Sequence, residues 1–466
     1  MRKPKGVAGK GAKKFFLRSP YGAYYERKAP RENVLPGERL PREDVELTHV
    51  GPGTPCGEYL RRFWQPCALS KEVQDRPKAV KILDEELVVY RDRSGTVGCL
   101  ELHCSHRGTS LEFGVPQERG IRCCYHGWLF DADGTVLDTP TEAAGSRLKE
   151  KLFHPAYPTH EHNGLVFIYM GPPEKKPPFP IFDTYEVPGY HTVTGIPHVM
   201  PCNWLQLKEN TADPIHIPIL HQRISGHHFS GYRFDDSQMP EFDWVETPLG
   251  MISGLVGRSK EVVWVRWSEW IMPNIHQFHI TESAGDCVIG TYCPPRATRW
   301  HVPVDNTHTI IFDYQRLLDK EMDRAEKVLK SMGQRGDRPY EEQQRKPGDY
   351  EAQVSQRPIA IHALEHLGAS DRGIIMFRRL LRQQIRAVAA GKDPRGVNAM
   401  NGSAIPTYLR NTAFVVEPKR NPAEDRKLWL ELARKVADEA IADRESRWKE
   451  KITTMPYEGV KSEFSG

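Results

Sequence analysis

The sequence predicts an α+β protein in which a small all-β domain precedes a larger domain of helices wrapped around an antiparallel sheet. Three features of the 466-residue chain lead to this prediction. Short apolar segments separated by turns fill residues 48–178, strand-like segments recur after residue 221, and two long helical segments lie near the carboxyl end. A stretch rich in proline and lysine, residues 172–180, separates the two regions.

The first 47 residues are predicted to be an extension outside the two domains, which span residues 48–178 and 179–466. Its first eighteen positions contain seven lysines and arginines and no acidic residue, although the whole chain has a formal net charge of only +4. A charged segment without apolar periodicity is typical of a solvated tail. We therefore expect this extension to bind neither nucleic acid nor a membrane.

Within the small domain, residues 81–91 and 165–170 are the clearest strand segments. Two Cys/His pairs follow the first of them: Cys104 with His106, and, after sixteen residues, Cys123 with His126. Zinc sites made of these residue types usually place two cysteines together and two histidines together. The C-x-H and C-x2-H order is the Rieske pattern, in which two thiolates hold one iron of a [2Fe–2S] cluster and two imidazoles hold the other.

The residues around these pairs favour ligand loops at the tips of short strands. Gly108 and Gly127 can adopt the positive φ that a tight loop needs. Cys124 is a competing thiol, but choosing it would turn the second pair into C-x-H, so we interpret it as a packed neighbour. A zinc site or unrelated buried residues remain the alternatives to a cluster.

A second group of metal-binding residue types lies at the start of the larger domain. On a helix, Asn210, Asp213 and His216 would share one face because they recur every three residues. His221 would lie off that face in a regular α-helix, so both imidazoles can meet one metal only if the helix is distorted. Pro218, between the two histidines, supplies a reason for such a distortion.

Two histidines and one carboxylate form the facial triad of non-heme Fe(II) oxygenases, which leaves coordination positions open for dioxygen. Taken alone, this stretch fits a core helix with two hydrogen-bonded histidines equally well. The cluster pattern favours the iron site, because a cluster that delivers electrons implies a site that consumes them.

The rest of the larger domain is predicted as strands followed by helices. Residues 262–271, 307–315 and a segment around 287–293 have strand patterns, and the aromatic residues of the first are expected in the core. One helix is predicted from Ser370 to about Ala390, stopped by Gly391, and another over residues 423–449.

With these motifs, the chain resembles the oxygenase (α) component of Rieske non-heme iron aromatic-ring oxygenases, and in particular the phthalate dioxygenase subgroup. The resemblance covers most of the chain and is carried by residues 54–66, 202–206, 300–309 and 365–373. It implies a helix-grip catalytic domain, a Rieske [2Fe–2S] cluster and a mononuclear Fe(II).

The resemblance also implies roles for three further residues. The third iron ligand of the subgroup is the Asp of a D-x2-A-Q segment, which is Asp349 here. Its rival is Asp371, whose position at a helix start behind Ser370 explains it without a metal. Asp213 matches the carboxylate that bridges an iron-ligand histidine and a cluster histidine of the next subunit, and Asn210 joins it as a catalytic candidate.

The activity implied is the insertion of oxygen from O2 into an aromatic carboxylate or aryl ether, by mono- or dioxygenation or O-demethylation. Electrons would come from NAD(P)H through a separate reductase, with or without a ferredoxin, because the chain has neither a G-x-G-x-x-G fingerprint nor a ferredoxin cysteine run. The family also implies a homo-oligomer, a head-to-tail trimer or a multiple of it.

Composition agrees with a cytoplasmic enzyme. Nine cysteines in a chain of this length do not indicate a disulfide framework, and no apolar run approaches a membrane span. Arg223, Arg233 and Arg266 are candidates, by position alone, for binding a substrate carboxylate. The alternative function is a Rieske electron-transfer or redox-sensing protein without oxygenase turnover.

Overall fold

The computed structural model describes residues 43–225, 239–279, 295–324 and 336–442, and it has the predicted α+β architecture. The chain divides into two compact units, residues 1–45 with 360–366, and residues 46–359 with 367–466. In the described part of the first unit, the backbone N–H of Asp44 donates to Nδ1 of His362 at 3.0 Å. The strands and both predicted metal centres belong to the second unit.

Seven α-helices and one π-helix lie in the described part of the chain. The α-helices are α1 (Val45–Thr48), α2 (Pro55–Leu60), α3 (Trp204–Ala212), α4 (Tyr340–Arg345), α5 (Asp349–Val354), α6 (Arg372–Ala389) and α7 (Pro422–Ala442), and the π-helix spans Ile217–Ile224. None of the described helices is long and apolar enough to cross a membrane.

Three small antiparallel sheets precede the helix α3. Their strands are β1 (Trp64–Leu69), β2 (Lys78–Ile82), β3 (Glu85–Arg91), β4 (Val97–Glu101), β5 (Val115–Pro116), β6 (Ile121–Arg122), β7 (Leu129–Phe130), β8 (Val136–Asp138), β9 (Ala156–Tyr157), β10 (Thr159–His162) and β11 (Leu165–Tyr169). The strand orders are β1-β11-β10, β2-β3-β4-β9 and β5-β6-β7-β8. The predicted small all-β region is confirmed.

The prediction of one strand over residues 81–91 was wrong in detail. This segment contains a hairpin turn between β2 and β3, at Leu83 and Asp84, whose φ angles are 51° and 63°. Glycine or asparagine usually marks such a turn because they tolerate positive φ. Neither occurs here, and Asp84 is the only turn-favouring residue between the two strands, so the sequence signal for the turn is weak.

A nine-stranded antiparallel sheet forms the core of the larger region. Its strands are β12 (Tyr190–Thr194), β13 (His198–Met200), β14 (Glu241–Thr247), β15 (Gly250–Ser259), β16 (Val262–Ile271), β17 (Ile275–Phe278), β18 (Ala297–Pro303), β19 (Thr309–Leu318) and β20 (Thr412–Val415). The order is β12-β19-β18-β17-β16-β15-β14, with β13 on β19 and β20 on β16. The strand predicted at 262–271 is confirmed, whereas the one around 287–293 lies outside the described residues.

Two of the three tryptophans of β16 belong to the core, as predicted, while Trp264 is only partly buried. Trp267 and Trp270 are 2% and 1% exposed, and they point to opposite faces of the sheet. Trp270 contacts Phe377 of α6, so one face of the sheet packs against helices.

The helix α6 ends as the sequence predicts but begins differently. Gly391 has a φ of +76° and donates to the carbonyl of Val388, which closes the helix in a Schellman arrangement. At the other end, Ser370 is not the helix cap. A 3-10 turn comes first, and Asp371 accepts the Gly368 N–H at 2.6 Å before α6 begins.

Candidate metal centres

The two predicted cluster loops have the same backbone geometry. In each loop the cysteine N–H donates to the carbonyl five residues later, at 2.9 Å from Cys104 and 2.8 Å from Cys123. The glycine four residues after each cysteine donates back to it, at 2.8 Å from Gly108 and 3.1 Å from Gly127. Both glycines have positive φ, +77° and +75°, so the sequence argument for tight loops holds.

The side chains of the two loops converge with the sulfur atoms inside. Cys104 and Cys123 are 3% and 4% exposed, whereas Cys124 is exposed. Burial, together with the neighbouring Cys123 thiol, raises the pKa of Cys104 to about 11. The rings of His106 and His126 lie nearer the surface, 4.5 Å apart.

Aromatic neighbours hold both imidazoles in place. His106 stacks on the buried ring of Trp128 at 4.6 Å, and Tyr125 lies 3.8 Å from the ring of His126. Two buried thiols facing two partly exposed imidazoles are the donor set of a Rieske cluster. The residues present therefore fit a [2Fe–2S] cluster.

The second centre begins where α3 ends. The predicted single helix carrying Asn210, Asp213 and His216 on one face was wrong, because α3 stops at Ala212. Asp213 has a φ of −105° and a ψ of 88°. Pro214 accounts for this break, since a proline disfavours helical geometry in the residue before it.

The distortion predicted between the two histidines is present, in the form of a π-helix. His216 immediately precedes this helix, Ile217–Ile224, and His221 lies within it. A π-helix has i+5 to i hydrogen bonds, seen here from the N–H of Ser225 to the carbonyl of Leu220 at 3.1 Å. It therefore aligns residues five apart, and the two imidazole rings lie 5.2 Å from each other.

Asp349 supplies a carboxylate to this pair from the first turn of α5. Its Oδ1 lies 3.6 Å from Nε2 of His216 and 3.2 Å from Nε2 of His221. Asn210 donates to the same oxygen at 3.3 Å. Burial opposes ionisation of Asp349, but the hydrogen bond from His221 and the nearby imidazoles hold its pKa below the ordinary value.

One potential ligand atom from each of His216, His221 and Asp349 lies within 4.8 Å of the other two. Two nitrogens and one carboxylate oxygen are the donor set of a facial triad, so these residues fit an Fe(II) ion. The structure does not bring Asp371 into this group, since its carboxylate accepts the Gly368 N–H.

The Asp213 carboxylate does not make the expected hydrogen bond to His216. Nδ1 of His216 bonds to the backbone carbonyl of Asp213, and the carboxylate lies 3.9 Å away. The carboxylate instead accepts the N–H of Ile215 at 2.9 Å, because the turn after α3 directs it back to the backbone. Its side chain is 31% exposed.

Two of the three candidate arginines lie in the described part of the chain. Arg223 is exposed on the π-helix, Arg266 is partly buried on β16, and Arg233 lies outside the described residues. Sequence reasoning passed over two buried basic residues close to α3, Lys208 and His276. Their sequence signal is weak, since each is a single basic residue in a mixed segment.

Comparisons with known proteins agree with both centres. A model of the Rieske [2Fe-2S] domain matches residues 63–158. The chain is 41% identical over 462 residues to the tert-butanol monooxygenase / tert-amyl alcohol desaturase oxygenase subunit of Aquincola tertiaricarbonis, covering 95% of this chain and 93% of that protein. It is 39% identical over 402 residues to the phenoxybenzoate dioxygenase subunit alpha of Ectopseudomonas oleovorans, covering 82% and 94%.

Among solved structures, a crystal structure of dicamba monooxygenase bound to 3,6-dichlorosalicylic acid aligns with a TM-score of 0.55. The alignment covers 71% of this chain and 99% of that one at 20% identity, which shows a common fold.

These findings define an oxygenase that combines a Rieske domain with a sheet-and-helix catalytic domain. The chain belongs to the Rieske non-heme iron oxygenases, as an oxygenase subunit of the phthalate dioxygenase-like type. It is thus an oxidoreductase, and the cofactors of its family are a Rieske [2Fe–2S] cluster and a mononuclear iron.

Proposed function

We propose that the protein is the terminal oxygenase of a multicomponent system that hydroxylates or O-demethylates an aromatic carboxylate or aryl ether with O2. The observation that carries this proposal is the convergence of two imidazoles and one carboxylate within 4.8 Å in a chain with a Rieske domain. A protein that only transferred or sensed electrons would not need this second donor set.

In this proposal Cys104, His106, Cys123 and His126 hold the cluster, and His216, His221 and Asp349 hold the iron. The cluster supplies single electrons, and the iron supplies the activation of O2. Asn210 orients the Asp349 carboxylate through the hydrogen bond between them. His216, just before the π-helix, and His221, within it, both lie close to the Asp349 carboxylate, so the geometry of this segment is part of the site.

The names of the relatives support an oxygenase but point to different substrates. Phenoxybenzoate carries both a carboxylate and an aryl ether, which agrees with the substrate class proposed here. The tert-butanol relative is named for a small aliphatic alcohol. A substrate panel must therefore include both kinds of compound.

The proposed assembly is a cytoplasmic head-to-tail homo-oligomer, a trimer or a multiple of it. Electrons reach it from NAD(P)H through a separate reductase, with or without a ferredoxin. Support comes from the partly exposed cluster histidine His126 and the partly exposed carboxylate of Asp213, each available to a neighbouring subunit. The proposed domains are residues 48–178 around the cluster and 179–466 around the iron.

Aerobic turnover tests the proposal directly. The metallated enzyme, a surrogate reductase and NADH are incubated under 18O2 with aromatic acids, aryl ethers and tert-butanol. We expect an 18O-labelled or demethylated aromatic product by mass spectrometry. Reduction and reoxidation of the cluster without product from any compound would favour the electron-transfer alternative, and product from tert-butanol alone would contradict the aromatic substrate class.

A further inference from the structure

Lys208 is a buried basic residue on α3, the helix that leads to the iron-binding histidines. Its side chain is fully buried, and its Nζ donates to the carbonyl of Ile275 at 2.5 Å. The same nitrogen lies 4.9 Å from the ring of Trp270. An ammonium group has three N–H donors, so one carbonyl and one aromatic face leave it undersatisfied. In the part of the chain that the structure describes, no carboxylate pairs with it.

His276 is the second buried basic residue, and it lies on β17, the strand next to β16. It occupies β17 directly opposite Trp270 of β16, so both side chains are on the sheet face that α3 covers. The imidazole stacks on Phe278 at 4.7 Å and is 91% buried, with 9% of the residue exposed. Its Nε2 is buried without a hydrogen-bond partner among the described residues. A buried polar atom of this kind calls for a partner.

Lys208 is linked to the iron ligands through α3. Two residues after Lys208, Asn210 donates to the Asp349 carboxylate. Burial lowers the pKa of His276, and the charges of Lys208, Arg299 and His216 lower it further.

Two acidic residues, one on α3 and one on β19, are already engaged. Glu209 forms a bidentate ion pair with Arg378, at 2.5 and 2.8 Å. Asp313 lies 3.4 Å from Arg299. Burial without a counter-charge lowers the pKa of Lys208, so a carboxylate bound beside it would restore the charged ammonium form.

We propose that Lys208 and His276 form the recognition site for a carboxylate of the substrate. This inference deepens the proposed function and rests on it. Lys208 provides the charge and His276 provides a hydrogen bond from Nε2, while the partly exposed Phe278 offers aromatic surface to the adjoining ring. In this proposal Lys208 and His276 bind the substrate carboxylate, in place of the sequence candidates Arg223, Arg233 and Arg266.

The test compares acids with their uncharged esters. Isothermal titration measures the binding of benzoate, phthalate and 3-phenoxybenzoate, and of their methyl esters, to the metallated enzyme. We expect at least one acid to bind about tenfold or more tightly than its ester, since charge-assisted hydrogen bonds are the strong ones. Lys208→Met and His276→Asn should each abolish this preference, while iron content and the cluster spectrum stay unchanged.

Lys435→Met serves as a matched control, because Lys435 lies exposed on α7, and it should keep the wild-type preference. The inference is wrong if no acid binds the wild-type enzyme more tightly than its ester, a comparison that does not depend on any variant. It is also wrong if both site variants fold, retain iron and keep the tenfold preference. If the inference fails in either way, oxygenated product from an ester or a neutral ether would still support the proposed oxygenase function.

Discussion

Cys123 and Cys124 are neighbours in sequence, but their side chains lie in different environments. Cys123 is 4% exposed and interacts with Cys104, whereas Cys124 is exposed. Cys123→Ser should therefore lose the cluster, with its red-brown colour and its reduced-state EPR signal. Cys124→Ser should keep both to within about a tenth of wild type. The opposite pattern would overturn the ligand assignment.

Asp349 and Asp371 also differ in their surroundings. Asp349 contacts both imidazoles, while Asp371 accepts a backbone N–H at the start of α6. Asp349→Ala should lose mononuclear iron and all oxygenation with an intact Rieske spectrum. Asp371→Ala should keep iron and activity and lose about 1 kcal/mol of stability, the usual contribution of a cap. Iron analysis and thermal unfolding distinguish the two, and iron loss in Asp371→Ala alone would reverse the choice.

Sequence alone could identify candidate ligands because spacing and residue type are local properties. It could not identify Lys208 or His276, because their importance comes from burial without a counter-charge. That condition arises only when α3 lies on β16 and β17. The sequence position of a single lysine or histidine does not indicate whether the side chain will be buried without a counter-charge.

Among the single elements, the helical segment that carries the iron-binding histidines was predictable only in part. The five-residue spacing of His216 and His221 required a distortion, and the structure has one. The π-helical form was not predictable from Pro218, because this proline lies in the first turn of the π-helix, where its missing N–H costs little. The break itself comes from Pro214, whose effect on Asp213 is local and could have been anticipated.

The strand β16 carries a buried acid with a consequence for stability. Burial raises the pKa of Glu269 to about 8, although its carboxylate accepts the N–H groups of Tyr408 and Leu409. The folded pKa exceeds the unfolded one, so the stabilisation is fully present below the unfolded pKa and disappears as the pH rises through 8. Between the two values the free energy of unfolding should fall by up to about 1.4 kcal/mol per pH unit.

Glu269→Gln should remove this dependence, because an amide keeps the acceptor and does not ionise. The variant should gain in Tm relative to wild type between pH 6 and pH 8.5, as measured by thermal unfolding at each pH. Glu431→Gln, at an exposed position of α7, is the control and should leave the pH profile unchanged. A constant Tm difference between Glu269→Gln and wild type across this range would contradict the prediction.

For the molecule as a whole, the order of elements was predictable, but their long-range pairing was not. The strand β20 pairs with β16 across about 150 residues of sequence, Thr412 opposite Val265. It is only four residues long, and its strand-favouring residues Thr412, Phe414 and Val415 do not indicate which strand it pairs with. Short segments of this kind become strands because a neighbour offers unpaired backbone groups, which is a tertiary effect.

In the proposed assembly, Asp213 connects the cluster of one subunit with the iron of the next. Within the chain its backbone carbonyl already orients His216, so the partly exposed carboxylate remains available to a neighbour's His106 or His126. Asp213→Asn keeps the size and the backbone contact but removes the charge. Both metals should stay bound, while electron transfer from cluster to iron slows by about tenfold or more, as expected when a charge-assisted hydrogen bond is lost.

Single-turnover kinetics on the fully reduced, fully metallated variant measure this rate through the reoxidation of the cluster, followed by its absorbance. Asn210→Ala is an informative control, because it should weaken iron binding by loosening Asp349 rather than slow transfer in enzyme that has kept its iron. Cluster oxidation at the wild-type rate in Asp213→Asn would show that the carboxylate is not the bridge. A monomer in analytical ultracentrifugation with full activity would remove the need for any bridge, because both centres would then have to exchange electrons within one chain.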